Sequence, residues 1–170
     1  MLVGNTHKIR DFGSARTIPN IMKDNRVIKR VSQVKYLGLI VDENLTWDKH
    51  VTYISKKIRQ NIGILKKVRN DIPRHSLITL YQTMVEPYLR YCNVVWGHCN
   101  ETLLNKLQAL QNRAARVIAG TTYDETDHVA LLEQMKWLNV RQLIIYDTAV
   151  IMCKVNMNVK LPNQINQLFR

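Results

Sequence analysis

The sequence predicts an α+β fold that is mostly α, with a short N-terminal β hairpin followed by an antiparallel bundle of about five helices. Three observations predict it. Residues 34–41, Val-Lys-Tyr-Leu-Gly-Leu-Ile-Val, are mostly β-branched, aromatic or aliphatic, a composition that suits a short strand packed on both faces. Beyond them Val51, Ile54, Ile58, Ile62, Leu65 and Val68 recur every three to four residues. At about 100° per residue these six fall in one arc roughly 120° wide, as on an amphipathic helix. Finally, Pro73, Pro87, Asn100 and Gly120 divide the rest into further helical lengths.

Taken in order, residues 1–33 read as the tail of something larger. Phe12-Gly13 and the stretch 16–20 with Pro19 are loop-like, while Val27-Ile28 with Val31 is placed to pair with 34–41. A lone two-stranded ribbon is marginal in water, so this hairpin needs helices or a further sheet to lie on. Asp42-Glu43-Asn44 is turn chemistry, because short polar side chains hydrogen-bond their own backbone. A helix over 47–69 follows and stops near Pro73, which biases its predecessor out of helical space. A second begins at Arg74, with Leu77, Leu80-Tyr81 and Met84-Val85 on one side, and breaks or kinks at Pro87.

Tyr88, Leu89, Tyr91, Val94, Val95 and Trp96 form the richest aromatic stretch, and Tyr81, Tyr88, Tyr91 and Trp96 are expected in the core. Asn100 is placed to cap a third helix through Ile118, with Leu103, Leu104, Leu107, Leu110, Ala114, Val117 and Ile118 as its stripe and Gly120 as its stop. Residues 121–127 read as a loop, Leu131, Leu132 and Met135 as a short helix, and 140–155 as a longer one. The last residues, 156–170, are expected to fray.

At 170 residues the chain makes one domain or a little more and can bury about two-thirds of its unfolded surface. Its 46% hydrophobic and 22% charged residues are globular values. The net charge of +12 is uneven: residues 1–85 hold 16 Lys/Arg against 6 Asp/Glu, residues 86–170 hold 9 against 7. Such an excess favours a polyanionic partner, although it equally suits plain solubility. Lys49, Lys56 and Lys67 share the face opposite the apolar arc of the 47–69 helix, with Lys57, Arg59 and Lys66 flanking. They fit phosphate contacts, and they also fit a solvated face. A basic amphipathic helix raises the membrane surface as a partner as well, but Ile and Val dominate its apolar side, which favours packing inside a bundle.

Signals for chemistry are sparse. Cys92, Cys99 and Cys153 are odd in number and suit a reducing, intracellular compartment. Cys92 with His98-Cys99 fits no zinc spacing. The sequons Asn44-Leu45-Thr46 and Asn100-Glu101-Thr102 read as turn and helix-start residues, since no signal peptide is recognisable. No apolar run reaches the length of a membrane span, and there is no glycine-rich phosphate loop. Asp42-Glu43 and Asp124-Glu125 are the nearest acidic neighbours, both in predicted turns.

Several strings taken together resemble one family. Lys35-Tyr36-Leu37-Gly38, Asp42-Glu43-Asn44-Leu45-Thr46-Trp47 and His50 look like the segment after the palm in reverse transcriptases of non-LTR retrotransposons, the LINE- and jockey-like RNA-directed DNA polymerases. Ile64-Leu65, Leu80-Tyr81, Pro87-Tyr88-Leu89-Arg90-Tyr91-Cys92, Val95-Trp96-Gly97, Leu107-Gln108 and Gln111-Asn112-Arg113-Ala114 continue the likeness in the family's order. The resemblance implies residues 1–46 as the end of a palm and 47–170 as a helical, thumb-like domain. It implies that Lys35, Tyr36, Leu37 and Gly38 form the hairpin that supports a primer end.

On that reading Lys49, Lys56, Lys57, Arg59, Lys66 and Lys67 meet the phosphates of an RNA or DNA template-primer, without sequence preference. Gly38 would let a sugar-phosphate backbone come close, or it marks a strand bulge. Tyr36 and Trp47 would stack on bases or sit in the core, and Arg113 and Arg116 would touch nucleic acid or flank the core. The family's two-metal chemistry uses Mg2+ held by paired aspartates on the palm. This sequence has no adjacent aspartate pair, so the expectation is a stretch that needs no cofactor and does not polymerise alone. Its expected partners are nucleic acid and the parent's palm, not a membrane. The alternative from the same residues is a helical protein-interaction module with no nucleic-acid role.

Overall fold

The computed structural model describes residues 22–24, 26–27, 30–121 and 127–157. They fall into two compact units, Met1–Tyr53 and Ile54–Arg170, and the division lies inside a helix.

The first unit holds two antiparallel hairpins. Strand β1 (Met22–Lys23) pairs with β2 (Arg26–Val27), and β3 (Gln33–Tyr36) pairs with β4 (Leu39–Asp42). The expected single strand over 34–41 is therefore a hairpin in itself. Tyr36 faces Leu39 across a two-residue turn in which Leu37 and Gly38 both have positive φ, 45° and 83°. Those signs are what a type I′ turn requires, and they match the twist of the flanking strands. Gly38 is thus a turn glycine and not a bulge, and pairing of Val27 with 34–41 does not occur. Ile28 lies outside the described residues, as do 1–21, Asp124-Glu125 and 158–170. Nor is 34–41 packed on both faces: β3 is exposed along its length, and in β4 Leu39 alone is buried.

Asp42 governs the exit from β4. Its Oδ1 accepts the N–H groups of Asn44 and Thr46 (both 3.1 Å), and its Oδ2 accepts that of Trp47 (3.0 Å). Held this way, the loop turns through two left-handed non-glycine residues, Leu45 (φ 54°) and Trp47 (φ 64°). The helix α1 (Asp48–Val68) then starts, with the Val51 N–H on the Trp47 carbonyl at 2.8 Å. His50, buried in the first turn, accepts the Ile40 N–H on Nδ1 at 3.4 Å and stands edge-on to the buried Trp47. Strand and helix start are thereby tied by one imidazole.

In the second unit α1 continues with Ile54, Ile58, Ile62 and Leu65 buried, the arc its spacing predicts. Helix α2 (Arg74–Met84) opens on Pro73 and buries Leu77 and Tyr81. The break at Pro87 is real, and Pro87 occupies the first turn of a new short helix, α3 (Glu86–Arg90), where it has no intrahelical donor to lose. Asn61 Nδ2 donates to the Met84 carbonyl, tying α1 to the end of α2. Cys92, left-handed at φ 52°, leads into the turn α4 (Asn93–Trp96). Gly97 follows because nothing larger fits: a Cβ there would run into the Asn93 carbonyl oxygen and lie 2.8 Å from Ile144 Cγ2.

Helix α5 (Glu101–Ala119) begins and ends where its signals stand. The Asn100 side chain accepts from Thr102 N (2.9 Å), and Gly120 turns left-handed at φ 80°. Its buried stripe is Leu104, Leu107, Leu110, Gln111, Ala114, Ala115 and Ile118, so Leu103 and Val117 are only half-buried and a polar residue, Gln111, lies inside. Gln111 Nε2 donates to Tyr81 Oη (3.2 Å) and to the Leu138 carbonyl (2.8 Å), which satisfies it. The short α6 (His128–Gln134) is capped by Asp127, and α7 (Val140–Asn156) starts in a capping box in which Asn139 and Gln142 bond reciprocally at 2.9 Å. α5 packs against α2, α6 and α7, and α7 also covers α3 and α4. Trp96 and Tyr81 are core residues as expected and Tyr88 is half-buried, but Tyr91 is exposed (54%). Its carbonyl accepts from Trp96 Nε1 at 2.9 Å, and the next residue, Cys92, is left-handed at φ 52°.

Candidate nucleic-acid interface

Between Lys49 and Val68 the sequence carries six cations, Lys49, Lys56, Lys57, Arg59, Lys66 and Lys67, and no carboxylate. All lie on α1. Lys49, Lys56, Arg59, Lys66 and Lys67 are exposed and Lys57 is half-buried. At about 100° per residue Lys49, Lys56 and Lys67 keep to one line, with Arg59 and Lys66 together roughly 80–100° to one side. Among the described residues no carboxylate lies within ion-pair distance of any of the six. The face they share also carries Thr52, Gln60 and Gly63, which charge counting passes over.

The hairpin residues of the first unit are exposed in the same way. Lys35, Tyr36, Leu37 and Gly38 are all exposed, Tyr36 by 66% and Leu37 by 71%. Lys35 places its Nζ 5.6 Å from the centre of the Tyr53 ring, a cation–π approach that orients the ammonium. Trp47, by contrast, is buried (8%) beneath the loop that Asp42 holds. A stacking role for Trp47 is excluded by that burial, whereas Tyr36 is accessible. Arg113 is exposed, and Arg116 lies against His128 at 3.3 Å.

Two titrating groups shape the corner that launches α1. Burial pushes the Asp42 carboxyl up, but the N–H groups of Thr46, Trp47 and Asn44 and the Thr46 hydroxyl outweigh it, so its pKa falls below the ordinary 3.8. Burial holds His50 below its ordinary 6.5, which keeps the imidazole neutral and leaves Nδ1 able to accept from Ile40.

Asp42 spends both oxygens on loop amides, Glu43 is paired with Arg30 at 3.1 Å, and among the described residues no three His, Cys, Asp or Glu side chains converge. Among the described residues no helix is long and apolar enough to cross a membrane.

Comparison with known proteins adds the rest. No family model matches this chain, and no solved structure matches it significantly. Curated relatives do. A probable RNA-directed DNA polymerase from transposon X-element of Drosophila melanogaster is 30% identical over 108 residues, 62% of this chain and 12% of that protein. The RNA-directed DNA polymerase from mobile element jockey of Drosophila funebris is 30% identical over 111 residues, 64% of this chain and 12% of its own length. A probable RNA-directed DNA polymerase from transposon BS of Drosophila melanogaster reaches 32% over 103 residues, 57% and 11%. Over about three-fifths of its length the chain is therefore similar to the RNA-directed DNA polymerases of these mobile elements, and it spans about 12% of the length of those it matches.

Proposed function

We propose that this chain is a nucleic-acid-gripping, non-catalytic part of a retrotransposon reverse transcriptase, comprising the end of the palm and the thumb, and that it binds template-primer through the cationic face of α1. The observation that carries the reading is the run of exposed α1 cations, none of them within ion-pair distance of a carboxylate among the described residues. A protein that needs charge only for solubility mixes the two signs along a helix. Five or six unanswered cations on one helix instead supply what a polyphosphate requires, and each phosphate neutralised releases counterions. Likeness to RNA-directed DNA polymerases makes a template-primer the natural polyanion. Lys35, Tyr36, Leu37 and Gly38 would form a second contact from their own hairpin.

Catalysis would fall to aspartates outside this stretch, since the sequence has no adjacent pair. The test is fluorescence anisotropy with a labelled RNA–DNA primer-template, beside primer extension with Mg2+ and deoxynucleotides. Binding indifferent to sequence and no extension is the expected pair of results. A chain that fails to bind, or one that extends the primer, contradicts the reading.

One feature favours a second reading, a protein-interaction module. α7 leaves Ile145 (67% exposed) and Met152 (48%) exposed among the described residues. A partner seated there would give elution volumes that shift with concentration in size-exclusion chromatography, and no effect of α1 substitutions on that shift.

A further inference from the structure

Of the four glycines among the described residues, three have a structural reason. Gly38 and Gly120 have positive φ, at the hairpin turn and at the end of α5, and Gly97 has no room for a side chain. Gly63 has none. It sits inside α1, and a Cβ built on it meets no described atom within 4 Å. Glycine there weakens the helix relative to alanine, since it gains neither packing nor a special backbone angle.

Its position supplies a reason. Gly63 lies on the cationic face, within about 40° of Lys56, Arg59 and Lys67 around the axis. Arg59 and Lys67 stand four residues to either side, about 6 Å along the axis each way. The face therefore has a bare spot of main chain bracketed by two cations.

We infer that Gly63 is a close-approach site at which the sugar-phosphate edge of a nucleic-acid duplex meets the backbone of α1, with Arg59 and Lys67 on phosphates to either side. This rests on the nucleic-acid reading of α1 proposed above. It adds that the helix is met at van der Waals distance and not only through the long arms of its lysines. A methyl group at Gly63 holds the duplex off the helix while leaving every charge in place.

The substitutions Gly63→Ala and Gly63→Gln separate the two effects. Both introduce better helix formers at an open position, so both raise Tm. Gly63→Ala should weaken binding of a 20-base-pair RNA–DNA duplex about tenfold, the equivalent of one good contact, and Gly63→Gln further. The slope of log affinity against log salt should stay that of the unaltered chain, because no phosphate contact is removed. Lys67→Gln serves as the counterpart and should lower that slope by about one. Equal or tighter binding by the two Gly63 variants overturns the inference, and if Lys67→Gln still lowers the slope the parent reading survives it. An unaltered chain that binds no duplex overturns both.

Discussion

Around α3 and α7 the cations are answered from inside the protein. Arg90 donates from Nε to Asp147 Oδ2 at 3.3 Å and from Nη2 to Asp147 Oδ1, and it meets Glu86 at 3.2 Å, while Asn93 Nδ2 holds the same Asp147 at 2.7 Å. Hydrogen bonding to Asp147 raises the Arg90 pKa. On α7 Arg141 pairs likewise with Glu101 of α5. The α1 stretch of the same unit has as good an apolar face, with Ile54, Ile58, Ile62 and Leu65 buried, yet its cations meet no described carboxylate. One region uses charge to fix helices to each other. The other leaves its cations without a described carboxylate partner, which is what the proposed binding role asks of them.

The comparison breaks most readily at α1. Replacing Lys56, Arg59, Lys66 and Lys67 together by Gln should cut duplex affinity at 0.1 M salt by roughly a hundredfold or more and lower the log–log salt slope by about three to four. Stability should move little, because these are exposed side chains with no described ion-pair partner. An unchanged affinity would place the α1 cations with the merely solvated ones.

Asp147→Ala should do the reverse. It strips Arg90 and Asn93 of their shared acceptor, and breaking such a part-exposed network costs about 2 kcal/mol after screening, read as a lower urea midpoint. Duplex affinity and its salt slope should be untouched. A loss of binding that exceeds the loss of fold would mean that the clamp side also faces the ligand.

Asp42→Ala comes next, at about 1–2 kcal/mol, since three loop amides lose their acceptor. It should loosen the start of α1 first, which amide exchange at Asn44, Thr46 and Trp47 would report. No change in protection there would mean that the loop is held by other contacts.

The smallest effect is with pH. Asp42 has a lowered pKa, so its contribution is complete above 3.8 and is lost as pH falls through the folded value. His50 also has a lowered pKa, so the neutral form it needs is present in both states above 6.5. Below 6.5 the unfolded chain takes up the proton first, and stability declines as pH drops toward the folded value. Both signs make the strand-to-helix corner acid-sensitive. A His50 titration followed by NMR should give a midpoint below 6.5, and a midpoint at or above it would contradict the burial argument.

How far the sequence speaks for the structure differs by interaction range. Helix α5 is legible to its ends because Asn100 and Gly120 act within a few residues of themselves. The break at Pro87 and the two faces of α1 are legible for the same reason. The turn at Leu37-Gly38 is not, because leucine is an unusual residue at positive φ and hides the usual turn signature. Trp47 reads as a stacking candidate until the Asp42 carboxylate is seen to hold its loop against the helix start. Arg90 and Asp147, 57 positions apart, carry no local sign of each other. For the candidate interface, charge and periodicity indicate which side of α1 is cationic. That its cations lack described carboxylate partners, and that Gly63 stands open among them, appears only once the neighbours are in place.

The most direct measurement of the central claim is the salt dependence of duplex binding for two chains side by side, one unaltered and one with the four α1 cations replaced. A steep log–log slope for the first that flattens by about three to four in the second is the predicted result. Parallel lines, or an unaltered chain whose affinity ignores salt, would mean that the exposed lysines and arginine of α1 do not meet phosphate.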